Sequence, residues 1–387
     1  MSQTKTPIFN DSFVGEPATK RALAYIQSQR EKGRHVAGVY CAYAPLELLH
    51  ALEVVPAVLC AFANATVETA EATLPANLCP LIKSSYGFIV KDTCPFFSLS
   101  EVVIAETTCD GKKKMFELIA DHRPLHVMDL PQLPDAPEAR HYWRAMIAKL
   151  QGFLEQSFGV TAYPEQIEAA IKENNEKNRL VLKMLDYAAL EKPVLGWAEM
   201  HDIIYYANAG RGQEINDNLQ KGLEVLEQRV KDGYVHGTAG GPRVLITGSP
   251  VGGDATKVFK IIEELGGTVV ALDSCIGRKP FAEMVEEGTD DPLMALSERY
   301  LKIPCACMTP NNSRLTELSK LIEKFRPDVV IDIVLQACHG YNVESFKVGQ
   351  HIETQHGLPF MKIVTDYSQG DVGQIKTRIE GLFESVR

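Results

Sequence analysis

The sequence predicts an α/β protein built on two doubly wound parallel sheets, and three observations predict it. Short apolar runs alternate with helical stretches in the first third of the chain and again in the last third. A long charged-and-apolar helical stretch with no convincing strand separates the two regions. The 387 residues also correspond to two or three domains at roughly 150 residues each.

In the first third, Val36 to Tyr40, Val54 to Leu59, Val102 to Ala105 and Leu125 to Met128 read as buried strands, with helices at Pro45 to Leu52 and Lys112 to Ala120 between them. From Ala136 to Val235 the pattern is helical throughout, and the glycine-rich HGTAGG at His236 to Gly241 breaks it. Strands then read at Arg243 to Ile246, Thr268 to Leu272, Val329 to Leu335 and Lys362 to Thr365, each followed by a helix. The expected division is an α/β unit over 1–135, a helical bridging segment over 136–241 and a second α/β unit over 242–387. Each unit is flavodoxin-like, with about four parallel strands. No repeat of solenoid length is present.

Composition narrows the function. Hydrophobic residues make up 45% and charged residues 23% of the chain, the balance of a soluble globular protein. A formal charge of −10 gives no global electrostatic reason to expect nucleic acid or an anionic membrane as partner. No apolar run is long enough for a membrane span, and the opening MSQTKTPIFNDSF lacks the layout of a secretory signal, so the expected location is cytoplasmic. There the nine cysteines are expected to be reduced, leaving metal ligation, redox chemistry or packing as their roles.

Ligands of doubly wound folds collect at the carboxyl ends of the strands. Cys41, Cys109, Cys275 and Cys338 each closely follow an apolar strand, while Cys79 and the Cys305/Cys307 pair lie in loops beside Pro80 and Pro304. GxSxG, HExxH and paired-carboxylate motifs are absent, and the cysteine spacing is not that of a zinc knuckle. Soft thiolates dispersed over strand-end loops suit an iron–sulfur cluster in a cleft between domains. Three further features read two ways. TGSPVGG before a helix is a tight turn, or a wall of backbone amides beside an anion. Lys112, Lys113 and Lys114 form a solvated face, or attract an anionic cluster or partner. His339, beside Cys338, bonds backbone at a helix start, or donates protons at a redox centre.

The segments PLELLHALEVVPAVL, NLCPLIKSSYG, AETTCDGKKKMFE, VLITGSPVGG, DSCIGRK, RYLKIPCACM, IDIVLQACHGYNVES and VTDYSQGDVGQIKTRIEGLFE together resemble the 2-hydroxyacyl-CoA dehydratase and benzoyl-CoA reductase family, in particular its double-cubane cluster proteins. The resemblance implies two α/β domains, a homodimer, and a dedicated ATP-hydrolysing iron–sulfur activator as electron donor. It implies that Cys79, Cys109 and Cys338 hold one cubane. A second, sulfide-bridged cubane would draw on Cys41, Cys275 and Cys307, with Cys305 as the alternative to Cys307. Cys60 and Cys94 are left over, and Cys94 is expected to pack. The expected activity is ATP-dependent, low-potential reduction of a small molecule. His339, Lys83, Tyr341 and Ser249 are candidate catalytic groups by loop position, and the exposed members of Lys112–Lys114 are candidate docking charges for the activator. The alternatives are a 2-hydroxyacyl-CoA dehydratase subunit with a single 4Fe–4S cluster and a non-catalytic electron-transfer protein.

Overall fold

The computed structural model describes residues 5–9, 11–238 and 240–386. Residues 1–4 and Asn10 of the opening stretch and Ala239 of the HGTAGG break lie outside the described residues. The first part of the chain runs α1 (Ala18–Glu31), β1 (Val36–Val39), α2 (Leu46–Ala51), β2 (Val55–Val58), α3 (Val67–Glu71), α4 (Pro80–Val90), α5 (Pro95–Leu99), β3 (Val102–Glu106), α6 (Asp110–Ile119) and β4 (Leu125–Met128). Four helices follow: α7 (Ala139–Phe158), α8 (Pro164–Leu185), α9 (Trp197–Ala209) and α10 (Gly212–Lys231). The rest is β5 (Arg243–Gly248), α11 (Lys257–Glu264), β6 (Thr268–Asp273), α12 (Pro292–Tyr300), α13 (Asn312–Phe325), β7 (Val329–Leu335), α14 (His339–His351), β8 (Phe360–Thr365) and α15 (Val372–Glu384).

Both sheets are all-parallel and wound alike, in the orders β2-β1-β3-β4 and β6-β5-β7-β8. Every residue of β1, β3, β6 and β7 is buried, as strands covered by helices on both faces must be. The winding sets the site. The chain leaves β1 for one neighbour, β2, and returns to β3 on the other side, so the loops after β1 and β3 part and open a crevice. The loops after β5 and β7 do the same in the second sheet.

The two crevices face each other. The Tyr43 hydroxyl donates to the Ile303 carbonyl (3.0 Å), and the Tyr300 hydroxyl donates to Glu47 Oε2 (2.7 Å). One apolar cluster holds Tyr43, Ile104, Trp143, Ile303 and Val334 together, so it draws on both sheets and on α7. The glycines of TGSPVGG serve this packing. Gly248 has φ +109°, and a Cβ there would stand 2.2 Å from the Ile333 carbonyl; a Cβ on Gly252 would stand 2.9 Å from the ring of Phe62 after β2. The Asp254 amide donates to the Phe62 carbonyl (2.8 Å), so this loop is a tight turn pressed against the first unit.

Candidate functional site

Three of the cysteines occupy equivalent places. Cys79 is the N-cap of α4, Cys109 of α6 and Cys338 of α14. A helix N-terminus presents unpaired amides and the positive end of the macrodipole, which favours a thiolate there. Cys109 Sγ accepts from the Lys112 amide at 3.5 Å. The others arrive on strand-end loops: Cys41 two residues past β1, Cys275 two past β6, and Cys305 and Cys307 after α12.

Six of these thiols meet in three pairs within hydrogen-bonding range: Cys79 with Cys338, Cys41 with Cys275, and Cys305 with Cys307. The first two pairs each join one sheet's crevice to the other's. In the Cys79–Cys338 and Cys305–Cys307 pairs one sulfur keeps the proton and the other is the better thiolate. Cys338 is pushed down to about 7 by hydrogen bonds from Cys79 and Ser249, against the opposing effect of burial. Cys305 is pushed down to about 5 chiefly by its bond from Cys307, while Cys79, Cys41 and Cys307 are raised as the donors and by burial. Cys109 feels Cys338 and Cys41, and Cys307 feels Cys41, so all seven sulfurs belong to one electrostatic neighbourhood.

All nine cysteines are free thiols. Among the described residues no trio of His, Cys, Asp or Glu is arranged to hold a single metal ion. The donor set is sulfur alone and drawn from both units. Such donors fit a polynuclear iron–sulfur group.

The remaining sequence candidates divide. Ser249 is buried, accepts from the Leu335 amide (3.2 Å) and donates to Cys338, so it belongs to the site. Tyr341 belongs to it too. Its hydroxyl lies 4.0 Å from Cys305 Sγ, and its ring is covered by the Arg314 guanidinium (4.7 Å) and the Lys279 ammonium (5.5 Å). Lys83 is committed elsewhere, donating to Glu71 Oε1 and to the Ala76 carbonyl, each at 2.7 Å. His339 is exposed at the first turn of α14, without a side-chain hydrogen bond among the described residues. Of the leftover thiols, Cys94 caps α5 by accepting from the Phe97 amide (3.4 Å), and Cys60 donates to the Tyr40 carbonyl (2.8 Å).

The reading of the lysine run needs correcting. Lys112 is only 8% exposed and donates to the Tyr40 carbonyl at 3.2 Å, so it is no docking charge. Burial works against its ammonium, but Cys60, Cys41, Cys109 and Glu106 outweigh burial and raise its pKa. Lys113 and Lys114 are exposed and paired with Asp110 and Glu117 of their own helix. Glu106, at the end of β3, is pushed up to about 7 by burial and accepts from the Ala44 amide at 2.8 Å.

Sequence reading passed over a buried network behind Tyr341. Arg314 donates to Thr247 Oγ1 (3.0 Å) and pairs with Glu344, while Thr247 donates to Asp273 (2.7 Å). Asp332 is buried in β7, and among the described residues neither of its carboxylate oxygens has a hydrogen-bond partner. Removing one partner of such a network strands the others' charge. Arg314→Met is expected to lower the unfolding free energy by about 3–5 kcal/mol, read by urea denaturation. A loss no greater than the about 1 kcal/mol of an exposed pair would show that the network contributes little.

Two doubly wound sheets whose facing crevices share a set of thiols define a class of cysteine-rich, two-unit α/β proteins with a thiol-lined cleft. Residues 41–386 match the family described as 2-hydroxyglutaryl-CoA dehydratase, D-component, and the chain belongs to that family. It is 39% identical over 383 residues, 98% of either chain, to the putative dehydratase subunit YjiM of Escherichia coli (strain K12). It is 21% identical over 361 residues, 92% of either chain, to the lactoyl-CoA dehydratase subunit beta of Anaerotignum propionicum. Among the described residues no helix is long and apolar enough to cross a membrane.

Proposed function

We propose that the chain is an iron–sulfur reductase that takes low-potential electrons from a separate ATP-hydrolysing activator and passes them to a small molecule, with a double-cubane cluster held in the cleft. One observation carries the reading. Cys41, Cys275 and the Cys305–Cys307 pair converge beside Cys79, Cys109 and Cys338, which is more soft donors than one cubane uses.

When bound, such a cluster supplies storage of single electrons at low potential. The chain's own residues set the conditions. The N-termini of α4, α6 and α14 and the ammonium of Lys112 favour negative charge in the cleft. Ser249 holds a hydroxyl proton on Cys338 and can bond that ligating sulfur, while Tyr341 stands at Cys305 with its own and can pass a proton to what binds beside it. A homodimer and a small-molecule substrate go with this reading.

The test is anaerobic purification, iron and acid-labile sulfide counts, and reduction by the activator. Expected are about eight iron ions per chain and bleaching of the visible absorption only when activator and ATP are both present. The relatives' names favour a second reading, a dehydratase subunit with a single 4Fe–4S cluster. Its outcome is about four iron ions per chain and a different subunit that co-purifies.

A further inference from the structure

Beside the thiols, and separate from them, lies a chamber of about 100 Å³ between the helical segment and the two crevices. It shares only the wall at Cys41 and Cys275 with the thiol cluster; Cys79, Cys109, Cys305, Cys307 and Cys338 do not line it. Its far wall is α8, where Asn174, Lys177 and Asn178 follow one another at helical spacing and each is at most 4% exposed. Among the described residues neither carboxamide makes a side-chain hydrogen bond, and neither is among the sealed-off unpartnered groups, so both amides are open to what the chamber holds.

The charge on the walls has one sign. Lys112, Lys177 and Arg299 line the chamber, and no carboxylate does. Lys177 spends one bond on the Gly210 carbonyl (3.2 Å), and Arg299 is anchored on the Glu283 carbonyl (3.1 Å) and that of Pro280. Three acids stand behind this wall: Glu47 against the Tyr300 hydroxyl, Glu106 against the Ala44 amide, and Glu173, which with Glu47 acts on Lys177 through charge. Burial pushes the Lys177 ammonium down to about 8, against the opposing charges of Glu47 and Glu173. The rest of the lining is mostly apolar, including Ile204 and Phe281, with Asn208, Tyr40, Tyr205 and Tyr300 as its other polar members.

We propose that this chamber is a binding site for a small monovalent anion of a few heavy atoms, hydrogen-bonded by the Asn174 and Asn178 carboxamides and paired with Lys177. Three donors on one helix face, enclosed by apolar side chains, would select for acceptor-bearing anions and against bulky ones. As an anion site the inference stands on the chamber alone. As the substrate site, which makes small anions the substrate class, it rests on the proposed reductase.

Crystals of the iron-loaded protein soaked in bromide, with data collected at the bromine edge, test it. The expected result is an anomalous peak in the chamber within contact of the Lys177 ammonium and the Asn178 amide. In solution, thiocyanate binding followed by calorimetry is expected to weaken at least tenfold in Lys177→Met and in Asn178→Leu. Bromide confined to surface sites of the unsubstituted protein overturns the proposal, as does thiocyanate affinity unchanged in both variants. Iron counts on the same preparations separate the two readings. Bromide in the chamber of a protein with little iron leaves the anion site standing without the reductase, and full iron with an empty anomalous map does the reverse.

Discussion

Cys79→Ser, Cys109→Ser and Cys338→Ser are each expected to retain about a tenth or less of the iron of the unsubstituted protein after anaerobic purification. Outer-shell partners alone typically change metal affinity by about 10–100-fold, and replacing a ligating thiolate by a hard, neutral hydroxyl removes more than an outer-shell contact. Because Cys79 and Cys338 come from different units and meet in the cleft, loss of the metal should also loosen one unit from the other and lower the thermal midpoint. Cys94→Ser is the control. Its sulfur only caps α5, and serine caps a helix as well or better, so iron content should not change. Iron at the unsubstituted level in all three test variants would remove these residues from the ligand set.

The inner strands were legible because parallel strands buried on both faces are continuous apolar runs, the less buried β4 and β8 because theirs are still short and mostly apolar, and α7, α8 and α10 because their apolar residues recur at helical spacing. α4 was not, for a physical reason. Nine of its eleven residues are buried, so PLIKSSYGFIV carries no amphipathic period, and its polar Lys83, Ser84 and Ser85 are satisfied by the neighbouring chain. The cysteines were placed at the strand ends by position alone, but their pairing across the cleft depends on how the two sheets face each other, which one sequence does not encode locally.

The reading of Lys112 and the residues passed over in α8 and α13 left signals that could have been used. Lys112 looked like part of a solvated run, yet it stands three, four and seven residues before Met115, Phe116 and Ile119, which form the buried face of α6. The same spacing places Asn174 and Asn178 on the buried stripe of Ile167, Ala170, Ile171, Val181 and Leu185 in α8. A polar residue at an apolar position of an otherwise regular stripe is the sequence mark of a buried functional group or network. Arg314, on the face of α13 shared with Leu318, Ile322 and Phe325, carries the same mark.

Cys41→Ser and Cys275→Ser are expected to lower the iron count by about half, from about eight to about four per chain, and to leave a protein that still binds a simpler cluster. The reason is the division of the thiols. Cys79, Cys109 and Cys338 sit at three helix N-termini and do not depend on Cys41 for their placement, while Cys41 and Cys275 pair with each other and Cys307 feels Cys41 directly. Between the two thiols of the CAC loop, Cys307 stands on the Cys41 side with the Tyr43 hydroxyl at 3.9 Å, and Cys305 lies deeper against Tyr341. Cys307→Ser should therefore behave like Cys41→Ser, and Cys305→Ser should keep the full count. Iron and acid-labile sulfide on the same anaerobic samples decide it, with the low-temperature resonance of the reduced state reporting whether one cubane or a coupled pair is present. If the unsubstituted protein holds only about four iron ions per chain and Cys41→Ser does not change that number, Cys41, Cys275 and Cys307 are ordinary buried thiols. The chain would then be a single-cluster subunit of the dehydratase type.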